Sequence, residues 1–168
     1  KGERRVRHAF PEAVVLRPSV LFGPGDAFLQ NLDRVTRAPV VPMFGNGATR
    51  LQPAFVEDVA TAAARGLELP EGRGRVYELG GERVYTYREI LETVLAHRGR
   101  RRPLVPVPFV VWRGLAALAS RFLTSPPLTV DQIILMERDN TVGAGVAGFS
   151  DLGIEPASLE DRLAVSLP

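Results

Sequence analysis

The chain has 168 residues, 45% of them hydrophobic, which is enough for one core and short for two large domains. Its formal charge is only +2, with 20 arginines and a single lysine, which does not favour a nucleic-acid partner. Because it has no cysteine and only two histidines, disulfides, thiolate metal sites and histidine-rich metal sites are excluded.

Membrane-spanning and secretory segments are also absent from the sequence. No run of about 20 apolar residues could cross a bilayer, and residues 1–8 lack the apolar core of a signal peptide. We therefore expect a cytoplasmic protein.

The first elements combine a helix with an apolar strand. Residues 2–10 have helical composition and end before Pro11. Residues 13–22 (AVVLRPSVLF) are aliphatic without polar alternation, which is typical of a strand covered on both faces in a parallel sheet. The strand runs into 23–26 (GPGD), and the carboxyl ends of parallel strands are where α/β sheets bind ligands.

The middle of the chain continues the α/β pattern. Residues 27–37 have helical spacing of apolar residues, and 39–56 predict a strand, a Gly-Asn-Gly turn and a second extended piece. Residues 56–69 predict an alanine-rich helix with carboxylates in its first turn, and 75–81 predict another strand and turn.

Helices dominate the second half. Three pairs have the spacing of helix N-terminal caps: Thr86 with Glu89, Thr129 with Gln132, and Ser158 with Asp161. Between them, 102–108 is an extended piece limited by prolines, and 109–123 is a strongly apolar helix.

This order predicts an incomplete parallel sheet followed by helices. A parallel sheet needs crossover connections and neighbouring strands on both sides. We therefore expect further strands upstream, and we interpret the chain as the C-terminal part of a longer α/β protein.

Four segments together resemble a known family. They are 2–26, 45–68, 76–94 and the tail from Pro126 through 148–161 (GFSDLGIEPASLED). In order and spacing they resemble the C-terminal half of extended short-chain dehydrogenase/reductase-like proteins of the NAD-dependent epimerase/dehydratase type. The likeness is greatest to the atypical branch that contains the dehydrogenase-like accessory subunit of respiratory complex I and its bacterial relatives.

The resemblance implies the C-terminal part of a Rossmann-type doubly wound parallel sheet with a mainly helical substrate lobe. Within one unit over 1–168, it assigns residues 1–26 and about 54–80 to the Rossmann portion. Residues 27–53 and 81–168 would form the substrate lobe.

The resemblance also implies a cofactor contact. Pro18, Ser19, Val20 and Leu21 match the family segment that lies beside the nicotinamide of NAD or NADP. A proline at a strand end fixes the backbone and removes a donor, which suits a rigid binding wall. The structural alternative is that Pro18 ends a strand and the following glycines form a turn.

Two family features are missing from this chain. The Gly-rich pyrophosphate loop is absent, so we expect the 168 residues alone to bind NADPH very weakly. The catalytic Tyr-x-x-x-Lys pair is also absent, because the three tyrosines have no lysine four residues on and Lys1 is the sole lysine. Two functions therefore remain open. The first is an oxidoreductase or epimerase acting on a nucleotide-sugar, a quinone-related compound or a similar carbonyl. The second is a non-catalytic accessory protein of a respiratory or quinone-related complex.

Arg50 and Gln52 are candidate substrate-binding residues. They lie where extended family members return from the substrate lobe, and some relatives use an arginine near there for a substrate phosphate, which a guanidinium can bind in bidentate fashion. A solvated arginine, or an ion pair with Glu57 or Asp58, is the structural alternative.

The arginine-rich segment 97–103 (HRGRRRP), followed by the apolar helix, raises one further possibility. Such a run is usually a solvated loop, and the helix fits a buried position in the substrate lobe. The alternative is contact with a protein complex or with an anionic membrane, which would make the protein peripheral at the inner face of that membrane.

Overall fold

The computed structural model describes residues 2–69, 72–122 and 129–168. Its helices are α1 Gly2–Ala9, α2 Ala27–Val35, α3 Val56–Glu68, α4 Tyr87–His97, α5 Phe109–Phe122, α6 Val130–Met136 and α7 Leu159–Ser166. Its strands are β1 Val15–Pro18, β2 Leu21–Phe22, β3 Val41–Phe44, β4 Arg50–Leu51, β5 Ala54–Phe55, β6 Val76–Leu79, β7 Tyr85–Thr86 and β8 Leu104–Val107. None of the helices in these three ranges is both long and apolar enough to traverse a bilayer.

The strands pair mainly in parallel, which confirms the predicted α/β class. β1 pairs with β6, β2 with β5 and β3 with β8 in parallel, whereas β4 pairs with β7 in antiparallel orientation. Parallel pairing requires a long connection between partners, and helices lie in each of these connections.

The prediction of one strand buried on both faces at 13–22 is wrong. The chain changes partner there, because the Ser19 N–H donates to the Leu79 carbonyl whereas the Val20 carbonyl accepts from the Ala54 N–H. Two short strands result, and in β1 the residue Arg17 is exposed. Arg17 forms ion pairs with the carboxylates of Glu3 and Glu78 instead of lying beneath another layer of the protein.

The first of two compact units comprises Lys1–Phe28, Gln52–Val84 and Thr141–Pro168. Its core cluster consists of Ala54, Ala62, Tyr77, Leu79, Phe149, Leu152 and Ile154. The segment 141–168, the end of the 81–168 region predicted for the substrate lobe, packs on β6 in this unit. Apolar side chains of the segment enter the core, and the Glu78 N–H donates to the Ala147 carbonyl over 2.9 Å.

The second unit comprises Leu29–Leu51 and Tyr85–Asn140. The Phe44 ring packs against three other aromatic rings of this unit, with ring centroids 5.5 Å from Tyr87, 6.3 Å from Phe109 and 4.8 Å from Trp112. The Trp112 indole N–H donates to the Met43 carbonyl over 3.2 Å, so α5 is fixed to β3 by both packing and a hydrogen bond.

The predicted helix starts are confirmed. Thr86 and Thr129 each accept from the backbone N–H three residues on, and Glu89 and Gln132 return the bond to complete capping boxes. Ser158 accepts from the Asp161 N–H over 3.1 Å at the start of α7.

Candidate functional site

In the first unit, β1 and β6 end at the same edge. Their parallel register runs from Val15 opposite Val76 to Pro18 opposite Leu79. The Ser19 N–H then donates to the Leu79 carbonyl over 3.0 Å. The segment after Pro18 thus begins at the carboxyl ends of two parallel strands, the position at which open α/β sheets bind ligands.

The four predicted cofactor residues occupy this edge. Ser19 is buried, while Pro18 is exposed and Leu21 is 38% exposed. The Ser19 N–H and the Val20 carbonyl are engaged in the strand pairs, the latter with Ala54 over 2.8 Å. Contact with a ligand at this edge would therefore involve the apolar side chains of Pro18 and Leu21, and the cofactor role stays a prediction.

The turn after β2 is held from within. The Gly23 N–H donates to Asp26 Oδ2 over 3.1 Å, and the Asp26 N–H donates to the Gly23 carbonyl over 3.2 Å. A Cβ at position 23 would overlap the Val56 side chain, so glycine lets the turn approach the start of α3 closely. The alternative given from the sequence, in which the glycines after Pro18 form a turn, therefore accounts for this segment.

Gln52, in the first unit, connects two loops. Its Nε2 donates to the Gly81 carbonyl over 2.8 Å, and its Oε1 accepts from the Val142 N–H over 3.1 Å. A Cβ on Gly80 would overlap the Gln52 amide, and one on Gly81 would overlap the Pro53 carbonyl. Gln52 therefore positions the loop after β6, and direct contact of its side chain with substrate remains a prediction.

A cavity of about 330 Å³ lies beside the end of β6, and its lining includes Glu78, Gly80 and Glu155. Glu78 accepts from Arg17 Nη1 over 3.2 Å and from the Gly143 N–H over 3.0 Å. The carboxylates of Glu78 and Glu155 would repel a phosphate group in this cavity. Sequence reasoning missed Glu78, although Arg17 and Glu78 are opposite each other in the strand register.

Arg50, in the second unit, pairs with neither of the carboxylates that the sequence suggested. Its Nε donates to Asp139 Oδ2 and its backbone N–H to Asp139 Oδ1, each over 2.8 Å. These hydrogen bonds lower the pKa of Asp139. The Arg50 side chain is nevertheless 61% exposed, so it is accessible to an anion, and its substrate role stays a prediction.

The tyrosines do not provide an acid–base centre. Tyr77, Tyr85 and Tyr87 are buried, and burial raises the pKa of Tyr87, whereas proton exchange at neutral pH needs a lowered value. Lys1 lies outside the described residues. Within the described ranges, no three His, Asp or Glu side chains are grouped so that they could hold a metal ion.

The arginine-rich segment has a structural function that the sequence did not reveal. Asp33 in α2 is buried and accepts from Arg37 over 2.9 Å, Arg98 over 2.9 Å and Arg100 over 2.7 Å. Burial alone raises the pKa of Asp33, but the three arginines outweigh it and lower the pKa from 3.8 to about 2. Two arginines of the segment therefore anchor it to α2.

Comparison with known proteins identifies relatives of about twice this length. The chain is 29% identical over 165 residues to NADH dehydrogenase [ubiquinone] 1 alpha subcomplex subunit 9, mitochondrial, of Dictyostelium discoideum, with 96% of this chain and 46% of that protein covered. It is 32% identical over 160 residues to the NADH-ubiquinone oxidoreductase 40 kDa subunit, mitochondrial, of Neurospora crassa, covering 95% and 42%. The chain thus spans less than half of these relatives, and no protein-family profile matches it.

The fold matches solved structures as well. UDP-glucuronic acid 4-epimerase from Bacillus cereus, solved with UDP-glucuronic acid and NAD, superimposes with a TM-score of 0.59 at 18% identity, covering 92% of this chain and 44% of that one. This similarity shows a Rossmann-type fold. The aligned NADH dehydrogenase subunits are homologues of this chain, and its fold is the one found in the NAD-containing epimerase.

Proposed function

We propose that the protein binds NAD or NADP and that this chain supplies the nicotinamide-side wall through Pro18, Ser19, Val20 and Leu21. The observation that carries the proposal is the common edge at which β1 and β6 end, immediately before these residues. The NAD-containing epimerase of the same fold supports it. The second unit would act as the substrate lobe, with Arg50 available to an anionic group of a small-molecule substrate.

The chemistry of this edge suits the nicotinamide end of the dinucleotide. Pro18 and Leu21 offer an apolar surface to a flat ring, whereas Glu78 and Glu155 line the neighbouring cavity and disfavour a pyrophosphate. A bound nicotinamide would supply hydride transfer, and the chain's own residues would orient the ring and shield it from water.

A second candidate function is a non-catalytic accessory protein in which the dinucleotide is structural. A Tyr-x-x-x-Lys pair just before Lys1 would favour the enzyme, and its loss would favour this second function. The NADH dehydrogenase subunits among the relatives support a protein complex as the partner. We place such a protein in the cytoplasm, peripheral at the inner face of a membrane.

A titration of the full-length protein with NADPH and NADH, followed by the fluorescence of the reduced nicotinamide, tests both functions. Saturable binding followed by oxidation with a supplied carbonyl compound would identify an enzyme. Saturable binding without turnover would identify the accessory protein. No binding to either nucleotide would refute the cofactor proposal.

Variants then test the wall itself. Leu21→Gln should weaken nucleotide binding about tenfold, because a partly exposed leucine would lose apolar contact with the ring. Val40→Gln changes a similarly exposed residue of the second unit and serves as the control. Equal affinity of both variants and the unmodified protein would contradict the placement of the nicotinamide.

A further inference from the structure

An apolar stripe on α5 is left uncovered by the residues that the structure describes. It consists of Val111, Leu115, Leu118 and Phe122, which are spaced by four, three and four residues and so lie within an arc of about 60° at 100° per residue. They are 45%, 54%, 58% and 75% exposed, respectively. Ala116, the buried residue of α5, lies about 130° from the middle of this arc. We call these four exposed side chains the α5 stripe.

The contacts that hold α5 in the second unit come from other sides of the helix. The Trp112 indole N–H donates to β3, and Arg113 donates to Glu137, directly after α6, over 2.8 Å. Arg113 lies about 170° from the middle of the α5 stripe and Arg121, the other charged residue of α5, lies about 90° from it. The charges of α5 are therefore placed outside the stripe.

The spacing of the stripe is that of a seam between paired helices. Apolar residues that alternate in steps of four and three occupy the a and d positions of coiled coils, where they pack against the same positions of a second helix. The steps of four, three and four read the same in both directions along α5. Two copies of this helix can therefore pack antiparallel about a two-fold axis, with the same residues on both sides of the interface.

The side chains of such a pair match in size. Val111 would lie opposite Phe122 of the second copy, and Leu115 would lie opposite Leu118 of the second copy. A small side chain then meets a large one at both ends of the seam, and leucines meet in its middle. The apolar layers therefore have similar volumes, as close packing requires.

The charge beside the stripe does not oppose this pair. In the antiparallel arrangement Arg121 lies beside Gly114 of the second copy. The two Arg121 residues are then separated by about 13 Å along the helix axis. This separation exceeds the Debye length of about 8 Å at physiological ionic strength, so their repulsion is largely screened.

We propose that the protein forms a symmetric dimer in which two copies of α5 pair antiparallel through the α5 stripe. At these exposed fractions the stripe offers roughly 450 Å² of apolar surface per copy, and a pair that includes the adjoining Gly114 and Ala119 would bury about 1,000 Å² in total. This area is at the lower limit for a specific interface, so the dimer should dissociate at micromolar concentrations. The inference goes beyond the proposed function and does not depend on the dinucleotide.

Sedimentation equilibrium of the full-length protein tests the dimer. We expect the average molar mass to rise from that of one chain towards that of two over roughly 1–100 μM protein. Leu115→Glu or Leu118→Lys alone should weaken association at least about 30-fold, because each places two unpaired charges in the apolar seam of the dimer. Leu67→Glu, at an 82% exposed leucine of α3, is the matched control and should leave association unchanged.

A mixture of the two α5 variants tests the antiparallel register. In a mixed dimer the glutamate introduced at position 115 would face the lysine introduced at position 118, and the two unmodified leucines would face each other. We therefore expect the mixture to form a one-to-one dimer, although neither variant associates alone. In a parallel pair each introduced charge would face a leucine, so mixing would restore nothing.

Several outcomes would overturn the proposal. They are a monomer at every concentration, association that both α5 variants retain, and a mixture that stays monomeric. Flotation with lipid vesicles gives another, since a monomer that binds vesicles and loses this binding in the α5 variants would assign the stripe to a membrane. Circular dichroism should show the same helix content in all variants, because the substituted leucines are exposed.

Discussion

Replacing Asp33 by asparagine should destabilise the second unit substantially. In the folded protein the pKa of Asp33 is lowered from 3.8 to about 2, and the linkage between this shift and folding corresponds to about 2.5 kcal/mol at neutral pH. A neutral amide in place of the carboxylate would remove the anion that Arg98 and Arg100, which are both partly buried, share. We therefore expect Asp33→Asn to lower the free energy of unfolding by about 2–4 kcal/mol.

The stability difference between the unmodified protein and Asp33→Asn should depend on pH. Because the folded-state pKa is lower than the unfolded-state value, the stabilisation is complete above pH 4–5 and declines as the pH falls through 3.8 towards 2. The difference between the unmodified protein and Asp33→Asn should therefore fall to about half at pH 3. A loss due only to altered packing would not decline in this way.

Urea unfolding followed by tryptophan fluorescence measures the effect, because Trp112 is the single tryptophan and lies in the same unit. Asp131→Asn, at an exposed aspartate in the first turn of α6, is the matched control and should cost no more than about 0.5 kcal/mol. A change of less than about 0.5 kcal/mol for Asp33→Asn at pH 7, or an undiminished difference at pH 3, would refute the argument.

Four further substitutions test the local structure by urea unfolding followed by circular dichroism, which reports on both units. Gly81→Ala should destabilise the protein by more than about 2 kcal/mol because its Cβ would overlap the Pro53 carbonyl. Gly114→Ala, which has open space around it in the middle of α5, should stabilise the protein by up to about 1 kcal/mol. The reverse order of stabilities would contradict the packing described. Thr86→Ala should cost about 1–2 kcal/mol through loss of the α4 cap, and an unchanged midpoint would show that the cap is dispensable. Gln52→Leu should cost about 2 kcal/mol because it leaves two partly buried backbone groups unpaired, and a neutral result would contradict its bridging role.

The helices and their starts were readable from the sequence because their causes are local. A threonine followed three residues later by Glu89 or Gln132 satisfies orphan backbone donors within one turn, whatever the rest of the chain does. The α/β class followed from the aliphatic strands and the helices between them. The resemblance that led to the family rested on short segments whose order and spacing are properties of the chain itself.

Only the tertiary structure decided which residues far apart in the sequence pair with each other. Nothing local indicates that Asp33 would collect arginines from 65 and 67 residues away, or that Arg50 would pair with Asp139. Strand burial depends on which neighbours are present, so the apolar run at 13–22 did not reveal the exposure of Arg17. The apolar residues of 141–168 likewise did not reveal that they pack on β6, since an apolar segment specifies that it is buried but not the surface against which it packs.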